Sequence, residues 1–144
     1  MKNQHYGNHR QIVPAWHLVT SLILLATIIG SFVNLFDSWN NHNNLYSASL
    51  ICLISIILAV FYFFIRSFPL KAQDRAIRAE ENLRHYVLTG KLLDGKLSIA
   101  QIIALRFASD DQFPELAARS AREDLRSKEI KKLVKDWKGD YHRV

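Results

Sequence analysis

Two long apolar stretches with no Asp, Glu, Lys or Arg inside them dominate the pattern of this chain. The first runs from Trp16 to Phe36 and the second from Leu45 to Ile65. Each has about the 20 residues that a helix needs to cross roughly 30 Å of hydrocarbon. A helix of that length on a soluble protein carries a polar face, and neither stretch does. The pattern predicts a transmembrane hairpin over 16–65, with helices at 16–36 and 45–65 and an outer turn at 37–44. An N-terminal segment, 1–15, precedes it, and a tail, 66–144, follows.

The tail reads differently. Pro69 is expected to close the second span, because proline lacks a donor and restricts the residue before it. A juxtamembrane helix from Leu70 to about Leu88 follows, with Gly90 as its stop. Ala72, Ala76, Ala79, Leu83 and Tyr86 form a stripe at helical spacing, widened by Val87. This narrow stripe suits packing against another helix. On the same helix Asp74 faces Arg78 and Glu80 faces Arg84 at a separation of four, so each couple is expected to pair. Asp94-Gly95 marks a turn. Ser98 and Gln101 form a capping box ahead of a core helix carrying Ile99, Ile102, Ile103, Leu105 and Phe107. Ser109, Asp110 and Asp111 are placed at the start of the next helix, with Pro114 in its first turn and Phe113, Leu116, Ala117, Ser120 and Ala121 along it. Ser127 is expected to cap a last helix in which Ile130, Leu133, Val134 and Trp137 follow the i, i+3, i+4, i+7 template, ended by Gly139. The fold class is all-α: a two-helix transmembrane hairpin, a long juxtamembrane helix and a small helical cytoplasmic domain.

Charge orients this arrangement. The turn from Asp37 to Asn44 has no Lys or Arg, whereas Lys2 and Arg10 precede the first span and Arg66, Lys71, Arg75 and Arg78 follow the second. The positive-inside rule then puts both termini of this multi-pass chain in the cytoplasm and the Asn-rich turn outside. The same four tail residues form a basic set at the membrane surface. Within the hairpin, the small residues Ala26 and Gly30 are expected to face Ser55 and Ala59, with Ala26 level with Ser55. Thr27 and Ser31 have the same spacing, and the competing reading is that one patch drives homo-oligomerisation. Small side chains let membrane helices approach closely.

Composition adds few chemical possibilities. The single cysteine, Cys52, lies inside the second span, which removes an intrachain disulfide and a cysteine-based zinc site. There is no phosphate loop, dinucleotide fingerprint, HExxH or serine elbow. His5 and His9 have the spacing of a metal pair but lack a third ligand in sequence. No nucleophile lies near His85. No acid or fixed base sits within either span, which argues against an ion or proton path through this chain alone. The expectation is therefore no enzymatic activity, no metal and no cofactor. Of the 19 Lys and Arg residues against 13 Asp and Glu, all but two lie beyond the second span, so the tail is basic. Lys128, Lys131, Lys132, Lys135 and Lys138 make up a candidate basic binding face on the last helix.

Several blocks resemble one family. These are Gln4-His5-Tyr6-Gly7-Asn8-His9-Arg10, then Pro14 and His17, then Gln73 through Arg84. Leu88-Thr89-Gly90-Lys91, Ile102 to Ala108, and Ile130-Lys131-Lys132 to Trp137 with Tyr141-His142-Arg143 continue the likeness. The chain resembles an uncharacterised bacterial membrane family, domain-of-unknown-function family 6526. The resemblance implies the two-span architecture with a helical cytoplasmic tail, in a bacterial inner membrane, and carries no activity with it.

The expected function is that of an accessory or scaffold subunit. The hairpin anchors a small basic helical domain that binds another protein or a second copy of the chain. The alternative is a membrane-tethered module for anionic lipid or, less favoured, for nucleic acid.

Overall fold

The computed structural model describes residues 4–7 and 12–139. Among these residues the chain is helical, with no strand; Ala108 and Trp137 meet in one isolated antiparallel bridge. A π-helical stretch, Ala15–Thr20, leads into α1, Ser21–Asp37. There follow α2, His42–Thr89, α3, Ile99–Leu105, α4, Phe113–Glu123, and α5, Ser127–Leu133. The chain forms two compact units. One is Ile12–Phe68; the other begins at Pro69 and takes in the described N-terminal residues 4–7.

Both long helices of the first unit are long and apolar enough to cross a membrane. Their buried and half-buried positions are few and regularly spaced. On α1 they are Ser21, Leu24, Ile28, Ser31 and Leu35, with Ser38 just beyond; on α2 they are Leu45, Ala48, Cys52, Ser55, Ala59, Tyr62 and Arg66, with Ser67 beside the last. Spacings alternate between three and four, which is the signature of helices packed along a seam of 3.5-residue period. The Ser31 and Ser55 hydroxyls meet at 2.9 Å inside this seam. Each also lies 2.8 Å from its own i−3 carbonyl, of Ile28 and Cys52. A hydroxyl has one proton, so one serine donates to the other while the second donates to its carbonyl.

The expected pairing of Ala26 with Ser55 is corrected. Ala26 is exposed, and a Cβ built on Gly30 would touch nothing within 4 Å. Ser31 lies level with Ser55 instead. The buried hydroxyls need each other, and that requirement sets the depth at which the helices match. Of the four residues expected to pack, Ser55 is buried and Ala59 half-buried, while Ala26 and Gly30 face outward. The turn is also shorter than expected. Asn41 accepts the Asn43 amide on its Oδ1 at 3.2 Å, and its carbonyl accepts from Asn44 and Leu45. This is N-cap behaviour, and it starts α2 at His42 rather than at Leu45.

The π-helical turn at the head of α1 was not visible in the pattern. Thr20 Oγ1 donates to the Ala15 carbonyl five residues back, at 2.9 Å, and so supports the wide turn. The seam consequently shifts from the position of His17, which is exposed, to Trp16, which is half-buried. The Trp16 ring stacks on Tyr62 with centroids 4.6 Å apart and planes within 2°. The Tyr62 hydroxyl lies 2.6 Å from Ser21 Oγ.

Pro69 does not end the second helix, contrary to expectation. It lies inside α2, which continues to Thr89. Its ring removes the donor that the Ile65 carbonyl would use, at a cost of about 3 kcal/mol. Helix is already nucleated on both sides, and propagation through many residues outweighs one absent bond. Gly90, at φ +72°, then stops the helix as expected.

The small domain of the second unit packs α3, α4 and α5 around Leu105, Phe107, Phe113 and Ile130, all fully buried, with Leu93 and Leu97 at its edge. The capping box at Ser98 and Gln101 is present. Asp94 Oδ1 accepts from the Lys96 amide at 2.9 Å and forms the expected turn. Two boundaries move. The fourth helix starts at Phe113, after Gln112, so Asp110 and Asp111 lie in the preceding turn. The last helix starts at Ser127 after Arg126, whose amide donates to Glu129 Oε2 at 2.7 Å. It stops at Leu133, because Val134 turns extended at ψ 118°.

Candidate functional site

Within the second unit, the part of α2 after Pro69 turns a polar face, not the alanine stripe, toward the small domain. Ile77 and Glu81 are buried and Asn82, Arg84 and His85 are half-buried. Ala72, Ala76, Ala79, Leu83 and Tyr86 are exposed, so among the described residues the stripe meets no other helix of this chain. The physical reason lies in the hydrogen bonds that the polar face makes. Asn82 Oδ1 accepts the Leu93 amide at 3.2 Å. His85 Nδ1 sits 2.7 Å from the Lys91 carbonyl, and its ring meets Phe113 edge-on.

Arg84 is the centre of this junction. Its Nη1 donates to Glu81 Oε2 at 3.0 Å, its Nη2 to the Ala108 carbonyl at 2.7 Å, and its Nε to Asp110 Oδ1 at 2.7 Å. The guanidinium also covers the Phe113 ring, 4.4 Å from its centroid. The planar fork of arginine allows all of this at once; a lysine ammonium could not reproduce it. The expected partner, Glu80, four residues before Arg84, is displaced by Glu81, three residues before it, because Glu81 lies on the side of α2 that faces the domain.

One cation pushes two acids in opposite directions. Burial raises the Glu81 carboxyl above its usual range, and the hydrogen bond and charge of Arg84 offset that only in part. Asp110 is mostly exposed, so burial matters little; the Arg84 hydrogen bond holds it below the usual aspartate range, with Lys138 assisting. Glu123 is likewise lowered by Arg119 and Arg122 on its own helix. This arrangement fixes a helix to a domain. It presents no nucleophile beside a base.

A second polar device closes the domain. The Gln112 amide donates to the Leu133 carbonyl at 2.7 Å, and its oxygen accepts the Lys135 amide at 3.0 Å. The Lys138 amide donates to the Phe107 carbonyl at 2.8 Å. Trp137 lies against Phe107, with centroids 4.9 Å apart. These bonds replace the last helical turn that the apolar template predicted. Neither device stands out in sequence, since one arginine and one glutamine carry no motif; the Glu81–Arg84 spacing was the sole local signal.

The sequence-derived site residues separate accordingly. Lys71, Arg75 and Arg78 are exposed on α2 at spacings of four and three, which places them on one face. Arg66, half-buried, is five residues before Lys71 and so about 140° around the helix from it. The basic face of five lysines is corrected. Lys128, Lys131 and Lys132 lie on α5, whereas Lys135 and Lys138 follow it in non-helical chain. Lys131 lies over the Phe107 ring, 5.7 Å from its centroid, and Lys138 Nζ is 3.9 Å from Asp110. Lys2, Arg10, His9 and the Tyr141-His142-Arg143 ending lie outside the described residues.

No cluster of three or more metal-binding side chains occurs among the described residues. An open groove of about 470 Å³ runs between the end of α2 and α4, lined by His85, Lys91, Asp94, Lys96 and Arg122 with apolar walls from Leu93 and Ala117. A second, shallower one lies at Gln101, Asp124 and Arg126. Gln101 spans that edge, donating to Asp124 Oδ1 and the Leu125 carbonyl. Both grooves are open to water and neither isolates a reacting group.

No curated protein and no solved structure matches this chain. The family model for DUF6526, a family of unknown function, matches residues 1–144, so the resemblance read from the sequence blocks holds and the chain belongs to that family.

Proposed function

We propose that this chain is a two-span membrane protein of the bacterial inner membrane. It acts as a non-enzymatic scaffold that presents a small basic helical domain at the cytoplasmic face. One observation carries the reading. In the first unit, the shared seam is narrow and mixes small and hydroxyl side chains with Leu24, Ile28 and Leu35, while most large apolar side chains, such as Leu22, Ile23, Phe32, Leu53, Ile54 and Phe61, point outward, each about half exposed or more. Only 6% and 17% of the most apolar windows of the two helices are buried. A soluble protein hides such helices in its core, whereas in a bilayer the hydrocarbon covers them. The stacking of Trp16 on Tyr62, far from the turn, supports a hairpin whose two ends lie on one side. The charge bias supports that side being the cytoplasm.

The experiment pairs topology with extraction. Tags at both ends, probed in intact and opened cells, should be accessible only after opening, and the protein should stay with the membrane in alkaline carbonate. Accessibility from outside, or release without detergent, would remove the proposal. A second reading, anionic-lipid binding, is favoured by Lys71, Arg75 and Arg78 on one exposed face, each worth about 1 kcal/mol near a charged surface. Equal binding of the chain to neutral and anionic bilayers would sink it. The nucleic-acid reading is weakened, because two of its five lysines are not on the helix that was to bear them.

A further inference from the structure

We infer that a second copy of this chain docks on the exposed apolar face of α2 beyond Pro69, giving a parallel two-fold dimer. The orientation in this inference rests on the membrane reading above. The face consists of Ala72, Ala76, Ala79, Leu83 and Tyr86, whose spacing alternates between four and three. That is the a/d pattern of a helix seam. The face is open at its bulkier end, where Leu83 is 63% and Tyr86 54% exposed. The side of α2 around Ile77, Glu81 and Arg84 is already committed to the small domain. The seam is thus the free side of a helix held rigidly from behind.

Charge identifies the occupant as another copy in parallel orientation. Arg75 flanks one side of the stripe and Glu80 the other, and neither has an ion-pair partner among the described residues. They are five residues apart, the offset at which flanking positions of two parallel helices meet across such a seam. In a two-fold dimer the contact occurs twice, Arg75 of each copy against Glu80 of the other. Two copies inserted with the same topology are parallel by necessity. The three alanines allow close approach at the end nearer Pro69.

The test uses the full chain in native membranes on a Cys52→Ser background. Oxidation should convert Ala79→Cys to a disulfide dimer at least five times more efficiently than Arg78→Cys, one position off the seam. Either charge reversal, Arg75→Glu or Glu80→Arg, turns both attractions into repulsions and should lower the dimer constant in detergent by about tenfold. The double reversal should restore it, which a merely misfolded variant would not do. Equal crosslinking at 78 and 79, or no recovery in the double reversal, overturns the dimer. A chain retained in the carbonate pellet but without an Ala79→Cys dimer overturns the dimer and leaves the membrane reading standing. Release into the supernatant overturns the membrane reading alone, and the reversal series still decides the dimer.

Discussion

Replacing Arg84 with methionine is the sharpest test of how α2 holds the small domain. The change deletes bonds to Glu81, the Ala108 carbonyl and Asp110 while keeping an unbranched apolar stem over Phe113. The Glu81–Arg84 pair is nearly buried, each side chain 11% exposed. Removing one member of such a pair leaves an uncompensated charge and costs about 3–5 kcal/mol. Here the low end applies, about 3 kcal/mol, because the strained Glu81 carboxyl escapes part of the cost by taking up a proton. The Asp110 contact adds little, being mostly exposed. Hydrogen exchange of α3–α5 in detergent reads the effect: a loss of about 3 kcal/mol speeds exchange through domain opening by about a hundredfold. Glu81→Gln in the Arg84→Met background should recover most of the loss, since it removes the stranded charge. A change below threefold in Arg84→Met, or no recovery in the double variant, would refute the account of this junction.

Further outcomes follow from single features. The folded-state pKa of Glu81 is raised, so the folded domain binds its proton more readily than the unfolded chain; stability should rise as pH falls through that raised pKa toward the ordinary value of 4.5, and Glu81→Gln should flatten this part of a melting-versus-pH curve. Asp110 has the opposite sign: its contribution is full above 3.8 and is lost as pH falls through the lowered folded pKa, so Asp110→Asn should abolish that acid limb. Ser55→Leu should overpack the seam at Ser31 by about 1–3 kcal/mol, whereas Gly30→Leu should change helix association little, as compared by thermal denaturation in the same detergent. Gln112→Ala strips two bonds from the end of α5 and should cost about 1–2 kcal/mol, seen as faster exchange of the amides of Lys135 and Lys138.

Much of the architecture is legible in the chain because hydrophobic period and capping chemistry are local. The two apolar helices, the Ser98 box, the Asp94 turn and the Gly90 stop all depend on residues within about one helical turn. Misreadings occur where distant groups decide. Ile130, Leu133, Val134 and Trp137 fit a helix template without a miss, yet Gln112 and Phe107 capture the backbone after Leu133. The alanine stripe suits a helix partner, but nothing local says that the small domain takes the opposite side of α2, where Glu81 and Arg84 find their tertiary partners. Pro69 is a strong breaker locally and still sits inside a helix that its neighbours sustain. Ala26 and Gly30 have the right spacing for close packing, but spacing cannot say which of several small pairs a partner will choose.

The wide turn at Ala15–Thr20 acts as a phase adjuster. One surplus residue per turn rotates everything before it by about 100° relative to an unbroken α-helix. Tightening that turn to α with every residue kept would carry the indole away from the Tyr62 ring and bring an imidazole to that place, whereas deleting one residue from it would leave an α-helix of ordinary pitch with the indole still in place. Loss of one residue in a regular helix usually throws the residues before it out of phase; at this spot it would remove only the bulge and keep the same aromatic tethering the two helices at their open end.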